Sequence, residues 1–446
     1  MALLERVPQL APAATSSAEA PAPIAPVAIE ETGLTQAFIA DLVLKILYQK
    51  GQATAADLAD VICLPLAKIL LAILEFLKAE HLVEVKGSSG TAAATYIYVI
   101  SAKGQERARE AFAKNGYVGA APVPLPAYVN RVRAQSIGSM QVTFDEIRKA
   151  LHHLVLPEKT LRQLGPAINS GRSIFLFGPP GTGKSSIAET LATMLRGSIV
   201  LPYAILVGQQ IIRVFDPSRH RPLVALDARF DRRWVPIARP FVEVGGELTL
   251  EDLDLTFDAN SKVHEAPFQM KASGGVLLID DFGRQRASPE MLLNRWIVPL
   301  DRDVDFLTLS DGRKIEVPFD VLLVFATNRT PSSLVDEAFL RRMAYKIGVG
   351  NPSPEAFGRI LRYECERQGV SFDPNAVTYL LHTLYGKKPL RGSHPRSLVA
   401  RLVDLANYRQ ESPRLTPQTL KEAFDACFNP ALGSVTEDDW ARPQVT

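Results

Sequence analysis

A chain of 446 residues, 47% hydrophobic and 22% charged, has apolar material for two or three packed domains of ordinary globular composition. A net charge of +2 excludes a global drive toward nucleic acid or an anionic membrane, so any such binding would need a local patch. Cys63, Cys365 and Cys427 lack both zinc-site spacing and an even count, no apolar run reaches membrane-spanning length, and Glu5-Arg6 interrupts any leader; reduced thiols, no membrane span and a cytoplasmic location are the expectations.

Residues 1–33 are dominated by Ala and Pro and are expected to form a disordered tail. From Leu34, Phe38, Ile39, Leu42, Val43, Ile46 and Leu47 recur at helical spacing up to a stop at Lys50-Gly51. Thr54 with Asp57 three positions on marks the cap of a second helix, and Pro65 opens a third over Leu66–Ala79. Two β-like runs, Leu82–Lys86 and Tyr96–Ile100, then precede a helix from about Lys103 to Ala113. This order over 34–113 resembles a winged-helix domain, whose relatives often bind DNA. Its eight Lys/Arg balance eight Asp/Glu, and its third helix, LAKILLAILEFLKAEH, presents Ala, Leu and Ile where base-reading side chains would stand. Protein docking or self-association is therefore favoured over nucleic acid. The Pro/Gly/Ala-rich stretch within 114–140 is expected to be a linker, and the chain shows no internal repeat.

An amphipathic segment, Phe144–Leu156, leads into an apolar run at 173–178 that ends on glycine and is followed by a helical pattern. Between them Gly178, Pro179, Pro180, Gly181, Thr182, Gly183, Lys184, Ser185 and Ser186 satisfy G-x-x-x-x-G-K-S in the strand–loop–helix context that a triphosphate cradle needs. Glycines let successive backbone N–H groups curl toward phosphate oxygens, and the helix adds its positive end. Lys184 is expected against the β- and γ-phosphates of ATP, with the Ser185 hydroxyl on Mg²⁺. A second apolar strand, GGVLLIDDFG at 274–283, ends in two carboxylates: Asp280 to hold Mg²⁺, Asp281 to position or deprotonate water. A third strand ends at Asn328, and Arg341, Arg342 and Arg396 follow as candidates to stabilise a transferring phosphoryl group.

Over about 140–430 these motifs resemble those of AAA+ ATPases. GPPGTGKS is similar to the family's Walker A, LLIDD to Walker B, ATN to sensor 1, DEAFLRR to the arginine-finger segment and HPRSL to sensor 2. The resemblance implies an α/β fold with a parallel-sheet P-loop core over 141–348, a helical lid over 349–432 and a tail beyond 433. It also implies a homo-oligomer, usually a hexameric ring, with Arg341 or Arg342 acting on a neighbour's nucleotide and Arg396 on its own. Asp280 stands 96 positions after Lys184, more than one strand and one helix need, and the excess includes the stretch from Phe241 to Gly275, which reads as β-hairpin material. The alternating strands about Asp311-Gly312 at 304–319 form a second insertion. Both features resemble the MoxR type and its helix-2-insert relatives, often chaperone-like remodellers of a protein partner. The family commonly ends Walker B in Asp-Glu; here Asp281 withdraws the second carboxylate by one methylene, which implies slow hydrolysis or a shifted line of attack.

Overall fold

The computed structural model describes residues 21–88, 90, 92–224, 229–334, 337–386 and 388–428. The expected tails at 1–20 and beyond 433 lie outside these residues.

Thr35 caps the first helix, α1 (Gln36–Lys50), which ends at Gly51 with φ +76°. A short strand β1 (Gln52–Thr54) leads to α2 (Ala55–Ile62), opened by a reciprocal capping box between Thr54 and Asp57. The third helix is not uniform: after Pro65 the chain makes a wide π-helical turn over Leu66–Leu70 before settling into α3 (Leu71–Ala79). Strands β2 (Val83–Ser88) and β3 (Tyr96–Ile100) pair antiparallel, with β1 on the far side of β3, and α4 (Ala102–Lys114) closes the module.

The segment read as a linker folds instead. Strand β4 (Val123–Pro124) and helix α5 (Leu125–Ala134) lie inside 114–140, and Tyr117, Ala121, Val123, Tyr128 and Val132 are buried. Pro124 and Pro126 stand at the start of a helix, where a missing N–H costs nothing, so proline density here marks a helix N-terminus. The inner part of the expected tail is also engaged: Ile24 bridges to Phe230, and Ala25 N donates to Arg229 O.

Helices α6 (Phe144–Ala150) and α7 (Glu158–Asn169) precede the core strand β5 (Ile174–Phe177), and α8 (Lys184–Met194) follows the glycine loop. Next come β6 (Ser198–Pro202), β7 (Ala204–Val207), β8 (Gln210–Arg213) and β9 (Trp234–Ala238), outside the core sheet. The core sheet resumes with β10 (Phe241–Val244); β11 (Thr256–Asp258) and β12 (Val263–Glu265), which share a sheet with β7 and β8, and the short α9 (Phe268–Lys271) intervene before it returns at β13 (Val276–Ile279). Helix α10 (Pro289–Arg302), hairpin β14 (Val304–Thr308) and β15 (Lys314–Pro318), β16 (Leu322–Thr327), α11 (Glu337–Arg342) and β17 (Tyr345–Gly348) complete it.

The core sheet has the order β10-β13-β16-β5-β17, and every pairing is parallel. Its central strands are apolar on both faces, as a sheet covered on both sides requires. Ile174, Leu176, Val276, Leu278, Leu322 and Val324 face one layer, while Phe175, Leu277, Leu323 and Phe325 meet Phe282 and Trp296 in the other. The stretch from Phe241 to Gly275 is thus only partly hairpin. FVEV is the edge strand of this sheet, and the antiparallel pair is β11 with β12. Alternation with one exposed Glu243 suits a sheet edge as well as a hairpin, so the pattern could not separate them. The hairpin about Asp311-Gly312 forms as expected, with Gly312 at φ +81°.

A helical unit follows: α12 (Pro354–Arg367), α13 (Pro374–Tyr379), a π-helical turn at Leu380–Tyr385, α14 (His394–Arg409) and α15 (Pro417–Phe428), around a core of Phe357, Leu361, Leu398, Leu402 and Phe424. Among the described residues no helix is long and apolar enough to cross a membrane.

Candidate active site at the carboxyl edge of the core sheet

Strands β5, β13 and β16 are adjacent and parallel, so the residues following each emerge side by side at one edge. The loop after β5 carries the glycines, β13 ends at Asp280 and Asp281, and β16 ends at Asn328. The loop cannot be built with larger residues. A Cβ on Gly178, at φ +152°, would sit 2.0 Å from Val349 O, and one on Gly181, at φ +75°, 2.3 Å from Ser393 Oγ. Thr182 Oγ1 donates to Pro179 O at 3.0 Å and steadies the loop from within.

Lys184 directs its ammonium into this edge. It donates to Gly178 O at 3.0 Å, Pro179 O at 2.9 Å and Asn328 Oδ1 at 2.7 Å. Burial draws its pKa below the usual lysine value, against the opposing pull of Asp280 and Asp281. Asn328 then donates from Nδ2 to Asp281 Oδ1 at 2.9 Å, so one amide orients both cation and carboxylate. Ser185 Oγ donates to Asp280 Oδ2 at 2.7 Å, which joins the two residues expected to share a metal.

The acids sit on an unusual turn. Asp281 has φ +47°, and its N–H donates to Asp280 Oδ1 at 2.9 Å. Gln285, which the sequence did not point to, braces this turn: its Oε1 accepts from Gly283 N and its Nε2 donates to Asp280 O, both at 2.8 Å. Glu243, on the neighbouring strand, was also missed. Although the side chain is largely exposed, partial desolvation of its carboxyl, then the Asp280 charge, raise its pKa above the ordinary glutamate value.

A cleft of about 540 Å³ gathers Gly181, Thr182, Gly183, Lys184, Ser185, Ser186, Asp280, Asp281 and Asn328. Pro180 lines it too, whereas Gly178 and Pro179 form the loop's base behind Lys184. Arg396, on the first turn of α14, reaches it from the helical unit, and Ser393 N donates to Gly181 O at 2.8 Å, pinning that unit to the glycine loop. Arg341 and Arg342 do not reach it. They lie at the exposed end of α11, where Arg342 Nε bonds Asp301 Oδ2 at 3.2 Å. The far end of the cleft is built from residues no motif flagged: His153 and Leu154 after α6, and Ile360 and Tyr363 on α12.

Glycine loop, buried lysine and acidic strand end on a five-stranded parallel sheet define an α/β protein with a P-loop nucleoside-triphosphatase core. Residues 174–351 match the family described as "ATPase family associated with various cellular activities (AAA)". Residues 353–426 match a domain of unknown function, DUF8689. Over 299 residues the chain is 24% identical to the ATP-dependent zinc metalloprotease FtsH of Sulfurovum sp. (strain NBC37-1), covering 66% of this chain and 36% of that one. It is 23% identical over 239 residues to the 26S proteasome regulatory subunit 7 homolog of Schizosaccharomyces pombe, covering 53% and 44%. The chain thus spans less than half the length of these relatives. Among solved structures, NtrX from Brucella abortus in complex with ADP aligns with a TM-score of 0.39 at 17% identity, over 76% of this chain and 69% of that one.

Proposed function

We propose that this protein is an ATP hydrolase of the AAA+ type that works as a homo-oligomeric ring, most simply a hexamer, and couples ATP turnover to remodelling or assembling a protein partner. The observation that carries the ATPase reading is the relay Lys184–Asn328–Asp281 beside the Ser185–Asp280 pair in one cleft. The residues fit the implied ligands. Gly178 and Gly181 leave a backbone cradle that a Cβ would fill, and Ser185 with Asp280 is a hard-oxygen pair suited to Mg²⁺ that keeps much of its water. Mg²⁺ would supply charge neutralisation between the phosphates.

Lys184 would hold the β- and γ-phosphates, exchanging part of its present carbonyl contacts for phosphate oxygens. Asp281, aimed by Asn328, would orient and deprotonate the attacking water, and Arg396 would neutralise charge from the lid side. Arg341 and Arg342, exposed and outside this chain's own cleft, suit action on a neighbouring subunit's nucleotide. The 34–113 module, read as winged-helix-like and neutral in charge, suits protein docking, and the extra strands and hairpin suit the MoxR and helix-2-insert type. Lys184→Ala tests the reading: nucleotide binding and phosphate release should both be lost. If ATP binding survived at wild-type strength, the cleft would not be the triphosphate site.

A second reading, a slow ATP-gated scaffold, rests on Asp281, whose short carboxylate is already hydrogen-bonded by Asn328. Asp281→Glu separates the two. A large rise in turnover supports the scaffold, and a fall shows a site built around aspartate.

A further inference from the structure

The cleft has two chemically different ends. One holds the glycine loop, Lys184 and the acids; the other is walled by Leu154 and Ile360 and carries two rings, His153 and Tyr363. Those rings lie 6.4 Å apart in a tilted arrangement, with His152 edge-on to both. The cleft measures about 540 Å³ in total, and with the phosphates fixed at one end this end is left for the base.

His153 Nδ1 lies 3.1 Å from the carbonyl oxygen of Ala150. A carbonyl only accepts, so Nδ1 is the nitrogen that carries the proton, assigned here from that bond. Burial holds the ring below the ordinary histidine pKa, which keeps it neutral near pH 7. The remaining ring nitrogen, Nε2, then has a lone pair and no hydrogen. Among the described residues it has no protein hydrogen bond. The carboxylates at this end, Glu189 and Glu364, are acceptors too, and Glu364 is held by Arg367 Nε at 3.0 Å and Nη2 at 2.8 Å. Arg367, the cation that lines this end, is thereby engaged with Glu364, and the open Nε2 of His153 asks for a donor from the ligand.

Resting on the nucleotide-binding reading above, we infer that His153 is the base-selecting residue: Nε2 accepts from the 6-amino group of adenine and rejects purines with a 6-oxo group. Hypoxanthine and guanine would bring an oxygen lone pair against the nitrogen lone pair in a partly dry slot. A missed hydrogen bond together with an unpaired acceptor there is worth roughly a tenfold or greater difference in affinity.

The test is competition of ATP and ITP against a fluorescent ATP analogue with Mg²⁺, using the full chain. The wild type should bind ATP at least about tenfold more tightly than ITP. His153→Phe keeps a ring and removes the acceptor, so the ATP/ITP ratio should collapse toward one. His153→Gln can turn either its carbonyl or its NH₂ to the base edge, so it should bind ITP better than the wild type does, a gain that misfolding cannot imitate. The inference is overturned if the wild type binds ATP and ITP alike, or if His153→Gln gains nothing for ITP while both nucleotides still bind. Equal binding that is lost in Lys184→Ala sinks base selection and leaves the nucleotide site standing. Failure of any triphosphate to bind the wild type removes both readings.

Discussion

Asp281 carries its carboxylate on a backbone at φ +47°, beside the Asp280 it must not displace, and one Asn328 amide fixes where it points. In the reading proposed above, Asp281 takes a proton-accepting or water-positioning role separable from binding, since Lys184 and Ser185 do not bond to it. Asp281→Asn keeps the size and removes the charge. Its turnover should fall by about 10²-fold or more, the usual worth of general-base help, while ATP affinity by titration calorimetry stays within a few-fold. A loss of affinity as large as the loss of turnover would place Asp281 in binding instead. A second residue answers to pH. Lys45 is 4% exposed, its Nζ donates to Asn115 Oδ1 at 2.8 Å, and burial lowers its pKa from 10.5 to about 8. Between those two values the unfolded chain holds the proton and the folded chain does not, so stability rises with pH across that window, by about 3 kcal/mol in total. Urea-unfolding free energies of the wild type minus those of Lys45→Met, measured from pH 7.5 to 10, should show this increment. A flat difference would mean that Lys45 stays protonated throughout.

At the scale of elements, the features legible in the sequence are those whose cause is local. The Thr54–Asp57 capping box, the stop at Gly51, the start after Pro65 and the turn at Asp311-Gly312 each depend on a few adjacent residues, and each forms. The glycine loop and the strand ends at Asp280 and Asn328 were legible for the same reason, and parallel pairing then brings them to one edge. What was not legible depends on partners far along the chain. The three-residue strand β1 exists through its pairing with β3, and Tyr128 is buried through β6, β7 and β15 packing around α5. Gln285 and His153 are held by a few side-chain hydrogen bonds that leave no periodic trace. The hairpin β14–β15 shows how such a partner works. Its turn is local, but Asp305, 1% exposed, fastens it to the core by accepting from Arg295 Nη1 at 2.6 Å and Nη2 at 2.9 Å and from Gln269 Nε2 at 2.9 Å. Asp305→Ala takes the carboxylate from a partly buried guanidinium and a buried amide, leaving Leu253 O as their remaining acceptor. It should lower unfolding free energy by roughly 3 to 5 kcal/mol in urea titration. A change under about 1 kcal/mol would show that water replaces the carboxylate freely.

At the scale of the whole molecule, the N-terminal module is continuous with the extra strands of the P-loop half. Ala204, Ile211 and Val263, from β7, β8 and β12, belong to the same apolar cluster as Leu42, Leu58, Ile69 and Leu74 of the module. The polar seam repeats the connection. Gly116 N donates to Ser261 O at 2.6 Å, Lys262 Nζ to Ala113 O at 2.7 Å, and Arg233, 5% exposed and paired with Asp231, donates to Thr32 O at 2.8 Å. Burial of this kind makes the two parts one cooperative unit, because unfolding either exposes apolar surface of the other. A module held this way cannot act as a freely swinging adaptor; any load it carries passes to the strands between α8 and β13. Calorimetry gives the decisive comparison. The full chain should melt the module and the extra strands in a single transition, and Arg233→Met, which leaves Asp231 buried without its cation, should lower that transition by several degrees. A chain beginning at residue 121 would expose Ala204, Ile211 and Val263, and should melt earlier and bind a hydrophobic dye before melting. If that shortened chain kept the full-length melting temperature, and residues 21–120 folded alone with their own sharp transition, the two parts would be separate domains that merely touch.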